Sequence, residues 1–195
     1  DGTNWTEVGD LNSARWAISA AGVSNTSALG YGGEIAPGGG NQTLNESWNG
    51  SAWTEVGDLN TARYSGSGAG TQTSALNFGG DAPGGSTNLV ESWDGSSWTE
   101  TTEMNTGRGA VGAAGTTTDG LIYGSEQTPR QITESWNGTT WTEVADMGAN
   151  QGNSAGAGGT ATSAWIAGGT NGSTNVANTE EFSADDFQIK TVTTS

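Results

Sequence analysis

Glu46-Ser47-Trp48-Asn49-Gly50-Ser51-Ala52-Trp53-Thr54-Glu55-Val56-Gly57-Asp58-Leu59-Asn60 is the stretch on which the fold turns. Two tryptophans five residues apart flank an Asn-Gly pair, a dipeptide that favours tight hairpin turns because both residues tolerate positive φ. The stretch recurs along the chain. Its second half appears again as Trp5 to Asn12, Trp98 to Asn105 and Trp141 to Gly148, with tryptophans 48, 45 and 43 residues apart. Its first half returns as Glu91-Ser92-Trp93, Glu134-Ser135-Trp136 and the variant Glu180-Glu181-Phe182. Each of these is followed five residues on by an aromatic: Trp98, Trp141 or Phe187. Seven of the nine tryptophans occupy these two columns, which assigns them to architecture first.

Outward from this stretch, each unit reads as four short strands. The first follows an arginine and is built of small alternating residues, as in Arg63 to Gly70. The second is apolar and ends in glycine: Ala28 to Gly33, Ala75 to Gly80, Leu121 to Gly124, Ala164 to Gly169. The third ends at the Glu-Ser-Trp element and the fourth begins at the next Trp. No amphipathic helical spacing occurs. The expected class is therefore all-β, a β-propeller of about four four-stranded blades. Glycine and alanine suit a crowded axis, and tryptophans fill the wider gaps further out. The units run 15-60, 61-105, 106-148 and 149-195, the last closing on its own strand Phe187-Gln188-Ile189-Lys190. Residues 1-14 then form the outer strand of a preceding or ring-closing blade. Either the chain is the C-terminal piece of a longer protein, or this orphan strand helps close the ring.

Composition removes whole classes of chemistry. The chain has no Cys and no His, so thiolate or imidazole metal sites, a cysteine nucleophile and a Ser-His-Asp triad are out of reach. Its net charge of −16 repels a phosphate backbone and an anionic membrane surface. No apolar run approaches the ~20 residues needed to span a bilayer. No cofactor, nucleic acid partner or membrane insertion is expected.

The Gly-Gly-terminated strand, the later Glu-Ser-Trp and the Trp five residues beyond it resemble the kelch repeat over nearly the whole chain. Trp48, Trp93 and Trp136 stand where kelch repeats usually carry Tyr. The phrase from Glu46 to Arg63, with Ser74-Ala75-Leu76-Asn77-Phe78-Gly79-Gly80 following, is similar to repeats in tail-fibre-like proteins of marine bacteriophages. The ending, Thr179 to Phe182 and then Lys190 to Ser195, resembles the natural end of such proteins.

Twelve of the 21 acids fall into three repeat columns: Glu7/Glu55/Glu100/Glu143, Asp10/Asp58/Glu103/Asp146 and Glu46/Glu91/Glu134/Glu180. These read as a solvated outer edge that discourages edge-to-edge pairing. A fourth column, Glu34, Asp81 and Glu126, directly follows the second strand. A hairpin brings that point beside the start of the first strand, so the expected pairs are Arg15–Glu34, Arg63–Asp81 and Arg108–Glu126. In the fourth unit both charges vanish, leaving Gln151 and Thr170. Such a column is an ion-pair girdle or a charged ring for sugars or a divalent cation.

Repeat-to-repeat variation concentrates in the loop from the second to the third strand. The candidate ligand contacts on these loops are Glu34, Asn41, Asp81, Ser86, Glu126, Arg130, Asn171 and Asn175. Diverse loops on a repeated scaffold are where recognition sits. The resemblance implies a receptor-binding module of a phage tail fibre, placed on a virion or outside the cell. Its partners would be a host cell-surface receptor or glycan and other fibre or virion subunits. A purely structural virion or fibre component is the alternative. A glycan-processing propeller enzyme is the remaining one, lacking the His and Cys of oxidase sites but not lacking carboxylates.

Overall fold

The computed structural model describes residues 4–35, 38–153 and 155–184. The chain is all-β, and no helix occurs among these residues. The first sheet is β1 (Ser19–Ser24), β2 (Ser27–Tyr31), β3 (Asn45–Trp48) and β4 (Trp53–Glu55). The second begins with β5 (Ser67–Thr71) and β6 (Ser74–Phe78), is interrupted by a small hairpin of β7 (Asp81–Ala82) and β8 (Gly85–Ser86), and resumes with β9 (Val90–Trp93) and β10 (Trp98–Glu100). The third is β11 (Gly112–Gly115), β12 (Gly120–Tyr123), β13 (Thr133–Trp136) and β14 (Trp141–Glu143). The fourth has β15 (Ala155–Thr160), β16 (Ser163–Ala167) and β17 (Thr179–Ser183). Every sheet is an antiparallel meander in chain order. The closing strand expected at Phe187–Lys190 lies outside the described residues.

The five-residue aromatic spacing has a simple cause. Trp48 pairs across the ladder with Trp53, Trp93 with Trp98 and Trp136 with Trp141. Their rings lie 5.3, 5.5 and 5.1 Å apart. Between them the turn is held by its own side chain: Asn49 Oδ1 accepts the Ser51 and Ala52 N–H groups at 2.9 and 3.0 Å, and Asp94 and Asn137 do the same in their repeats. The indole N–H of Trp48, Trp93 and Trp136 donates to the turn carbonyl of Asn25, Gln72 and Thr117, tying the third strand to the first hairpin.

Packing runs between sheets. Leu29, Tyr31 and Leu59 meet Ala75, Trp93 and Trp98; Leu76, Phe78 and Met104 meet Trp136 and Trp141; Leu121 and Tyr123 meet Ala164 and Ile166. A tryptophan buries ~150–250 Å², so these contacts supply the core that no single sheet could enclose. The first strands lie side by side, β1 beside β5, β5 beside β11 and β11 beside β15. Small residues permit this approach: a Cβ on Gly68 would sit 2.0 Å from Tyr31 Oη and 2.3 Å from the Ala20 carbonyl. Among the described residues no comparable contact returns from β15 to β1, so the four sheets form an open row.

The first strand starts later than the arginine. One residue intervenes in the left-handed region in every repeat: Ala17, Ser65, Ala110 and Asn153, with φ of 50, 52, 53 and 50°. An L-residue pays ~1–2 kcal/mol for this conformation. The geometry joins neighbouring sheets, since the Ser65 N–H donates to the Ala17 carbonyl (2.9 Å), Ala110 to Ser65 (2.7 Å) and Asn153 to Ala110 (3.4 Å).

Candidate functional site

The arginines do not pair as their neighbourhood suggested. The backbone adjacency is present, because Trp16 and Glu34 exchange N–H···O=C bonds at 3.0 Å and Tyr64 and Asp81 do likewise. The residue opposite Glu34, however, is Trp16, and the Arg15 side chain points the other way. Arg15 Nη2 meets Glu46 Oε1 at 2.8 Å, Arg63 meets Glu91 at 2.9 Å and Arg108 meets Glu134 at 3.0 Å. The expected pairs Arg15–Glu34, Arg63–Asp81 and Arg108–Glu126 are thereby corrected. The expectation of a solvated Glu46/Glu91/Glu134 column is corrected too, since all three are fully buried. The other two acidic columns are exposed.

Each buried pair is a clasp with more than one function. The other guanidinium nitrogen of Arg15 donates to the Gly32 and Leu44 carbonyls, that of Arg63 to Leu89 and that of Arg108 to Ile132. The second carboxylate oxygen of Glu91 accepts the Asn60 N–H and Nδ2 at 2.7 and 2.9 Å, and Glu46 and Glu134 hold Asn12 and Asn105 in the same way. Asn60 leaves the fourth strand of one sheet and is gripped by the next, so the clasp links sheets. Burial pushes the Arg63 and Arg108 guanidinium groups below their ordinary range, opposed by the facing carboxylates.

Above the clasps, the strand-two to strand-three loops form one face. Glu34 Oε1 accepts the Gly38 N–H (2.8 Å), closing its own loop, and Asn41 Nδ2 crosses to the Asp81 carbonyl at 2.8 Å. Ser86 donates to Asp81 Oδ1 at 2.6 Å, while buried Oδ2 has no hydrogen-bond partner. Glu126 accepts from Gln127 and from Asn153 at 2.8 and 3.1 Å. Burial raises the Asp81 carboxyl above its usual range, with Glu126 adding to the rise. Burial and then the Asp81, Glu126 and Glu34 carboxylates raise the Tyr64 phenol. Four of the expected contacts, Glu34, Asn41, Asp81 and Glu126, thus gather around Tyr64, with Ser86 supporting Asp81.

Arg130 bonds the Ser125 carbonyl at 3.3 Å and lies so near Gly172 that a Cβ there would be 2.7 Å from Nη2. Asn171 is spent on its own turn, accepting from Ser173 and Thr174 at 2.9 Å, and Asn175 bridges Thr170. Arg130 thus joins the third loop to the fourth, on which Asn171 and Asn175 sit. Among the described residues no three carboxylates are placed to hold a metal ion.

Sequence reasoning missed Trp16 and Tyr64. Their rings lie 5.6 Å apart at the mouth of the loop face, and Trp16 is half exposed. The available signal was an aromatic directly after the arginine in the first two repeats, where glycine follows Arg108 and Gln151 in the other two. No protein-family model matches the chain, and no curated protein matches it.

Proposed function

We propose that the chain is a non-enzymatic recognition module, built as consecutive blades of a kelch-like β-propeller, whose loop face takes a neutral or aminated glycan of a host-cell surface. The observation that carries this reading is the Trp16–Tyr64 pair beside Glu34, Asp81 and Glu126. A half-exposed indole offers an apolar platform for the C–H face of a pyranose, and carboxylates accept bonds from its hydroxyls. A net charge of −16 disfavours sulfated or sialylated glycans through simple repulsion. The resemblance of the repeat phrase to repeats of tail-fibre-like proteins speaks for a place on a phage virion, or otherwise outside a cell.

The test is a glycan array probed with the intact chain and with Trp16→Ala, followed by inhibition of phage adsorption. Binding to neutral or amino sugars that falls at least about tenfold in W16A is expected. Binding indifferent to Trp16, or confined to acidic glycans, overturns the reading. A purely structural fibre component is favoured by one feature: Glu34, Ser86 and Asn171 are already engaged within their own loops. It predicts no glycan signal at all. Turnover of an oligosaccharide would instead make the Asp81–Glu126 neighbourhood catalytic.

A further inference from the structure

Four acids are buried among the described residues, and three of them, Glu46, Glu91 and Glu134, each hold an arginine at 2.8 to 3.0 Å. The chain thus shows what a carboxylate at that depth ordinarily requires. Asp81 is the fourth, 7% exposed, and among the described residues no cation pairs with it. Its Oδ1 accepts from Ser86 at 2.6 Å, whereas Oδ2 is shut from water and receives no hydrogen bond.

What faces Asp81 is more negative charge. Oδ2 lies against Gly109, where a Cβ would come within 2.9 Å of it, and the Glu126 N–H donates to the Gly109 carbonyl at 3.3 Å. This glycine stands where the first two repeats carry Trp16 and Tyr64, and so lets a carboxyl of the second sheet reach the third. There the Glu126 carboxyl is near enough to share a hydrogen bond with it. Tyr64 of the second sheet and Glu34 of the first complete the surroundings. Two carboxyl groups so placed are held together by one proton, and burial with the Glu126 charge accordingly raises the Asp81 carboxyl. Glu126 and Tyr64 are only half-buried and Trp16 is 47% exposed, so the corner opens to solvent on its aromatic side.

We propose that this corner takes the protonated amine of an amino sugar: Glu126 and the Tyr64 ring meet the ammonium at the open side, and Asp81 supplies a second negative charge behind them. The inference rests on the glycan reading of the loop face and narrows it to sugars with a free amine. The pyranose packs on Trp16, while the ammonium gains from the aromatic faces and from the paired carboxylates. As the ammonium enters, the proton shared by Asp81 and Glu126 leaves to solvent. One positive charge replaces another, and the pair ends doubly ionised beside a cation. An N-acetylated sugar carries no charge to exchange and leaves the proton in place.

The test is titration calorimetry of the intact chain with glucosamine oligomers and with N-acetylglucosamine oligomers of equal length, on the parent, Asp81→Asn and Glu126→Gln. At neutral pH the amine form is expected to bind the parent at least about tenfold more tightly than the acetylated form. Proton release should show as a heat that changes with the ionisation enthalpy of the buffer, for the amine form alone. In both variants the ratio of the two affinities is expected to fall close to one. In the parent the ratio should shrink as pH drops toward 3.8, the ordinary value of an aspartate carboxyl, while the amine stays charged. Equal binding of the two oligomers, or a preference that survives both substitutions, overturns the proposal and leaves the broader glycan reading standing. Binding of neither overturns both. A lysine peptide bound as tightly as the amine oligomer overturns the proposal as well, since charge alone would then suffice.

Discussion

The first three repeats and the fourth solve one packing problem in two ways. Arg15, Arg63 and Arg108 each hold backbone carbonyl oxygen with one end of the guanidinium (Gly32 and Leu44, Leu89, and Ile132 in turn) and neutralise a buried glutamate with the other. In the fourth repeat Gln151 keeps only the first task, its Nε2 donating to the Gly168 and Asn178 carbonyls at 2.9 and 3.0 Å. Glu180 nevertheless remains and accepts the Gly148 and Ala149 N–H groups at 2.6 and 2.8 Å. The difference follows burial. Glu46, Glu91 and Glu134 are wholly buried, whereas Glu180 keeps some solvent. A carboxylate cut off from water requires a cation; one still touching it does not. The arginine therefore accompanies a glutamate shut away from water.

The largest effect should come from leaving one partner of a clasp alone. Glu91→Ala strands Arg63 in the interior and removes the anchor of Asn60, and a cost of ~3–5 kcal/mol is expected. Glu180→Ala removes two backbone bonds at a site where, among the described residues, no cation pairs with the carboxylate, and should cost only ~1–2 kcal/mol. Urea denaturation of the two variants against the parent measures the gap. Equal losses would mean that the arginine contributes nothing beyond its carbonyl bonds.

That contrast also explains what could be read beforehand. The repeat period, the hairpins and the aromatic columns follow from local pattern, since Trp48 and Trp53 are cross-strand partners separated by one turn. The neighbourhood of Glu34 was legible for the same reason. The choice of side chain was not, because the faces of a strand alternate and an error of one residue turns a side chain to the opposite side. Arg15 and Trp16 were confused in this way. A usable signal was present: Glu46 stands two residues from Trp48, on the same face, and so had to share its burial. The joint absence of Arg and acid in the fourth repeat misled for a different reason. The true partner, Glu180, had stayed. The left-handed residues were illegible because Ala and Ser carry no preference for that region; only the tertiary ladder holds them there.

The loop face offers a second, smaller contrast. Asp81 is buried in the second repeat, and the corresponding position of the fourth is the uncharged Thr170. Burial, with Glu126 nearby, raises the folded-state pKa of Asp81 above its ordinary value of 3.8. The protonated form is thus favoured by folding, and the stability it contributes is present at low pH and lost as pH rises from the unfolded value through the raised one. Asp81→Asn should therefore unfold at higher temperature than the parent at neutral pH, with the advantage shrinking as pH falls through the raised value toward 3.8 and gone below it. Thermal melts at matched ionic strength measure it. A constant offset across that range would show that the carboxylate is not the source.

The smallest effect tests the ladder between sheets. Ala110 and Asn153 adopt φ of 53 and 50°, yet asparagine tolerates the left-handed region and alanine does not. Ala110→Gly removes the Cβ clash, worth ~1–2 kcal/mol, against the ~0.5–1 kcal/mol that glycine adds to the freedom of the unfolded chain. A net gain of ~0.5–1 kcal/mol is expected, and Asn153→Gly should change stability by less. The N–H of residue 110 remains in either case, so the bond to Ser65 at 2.7 Å is untouched and the comparison isolates backbone strain. If A110G were destabilising, the methyl group would be contributing packing that outweighs its strain, and the ladder would be a product of the sheet contacts instead of a cost carried to make them.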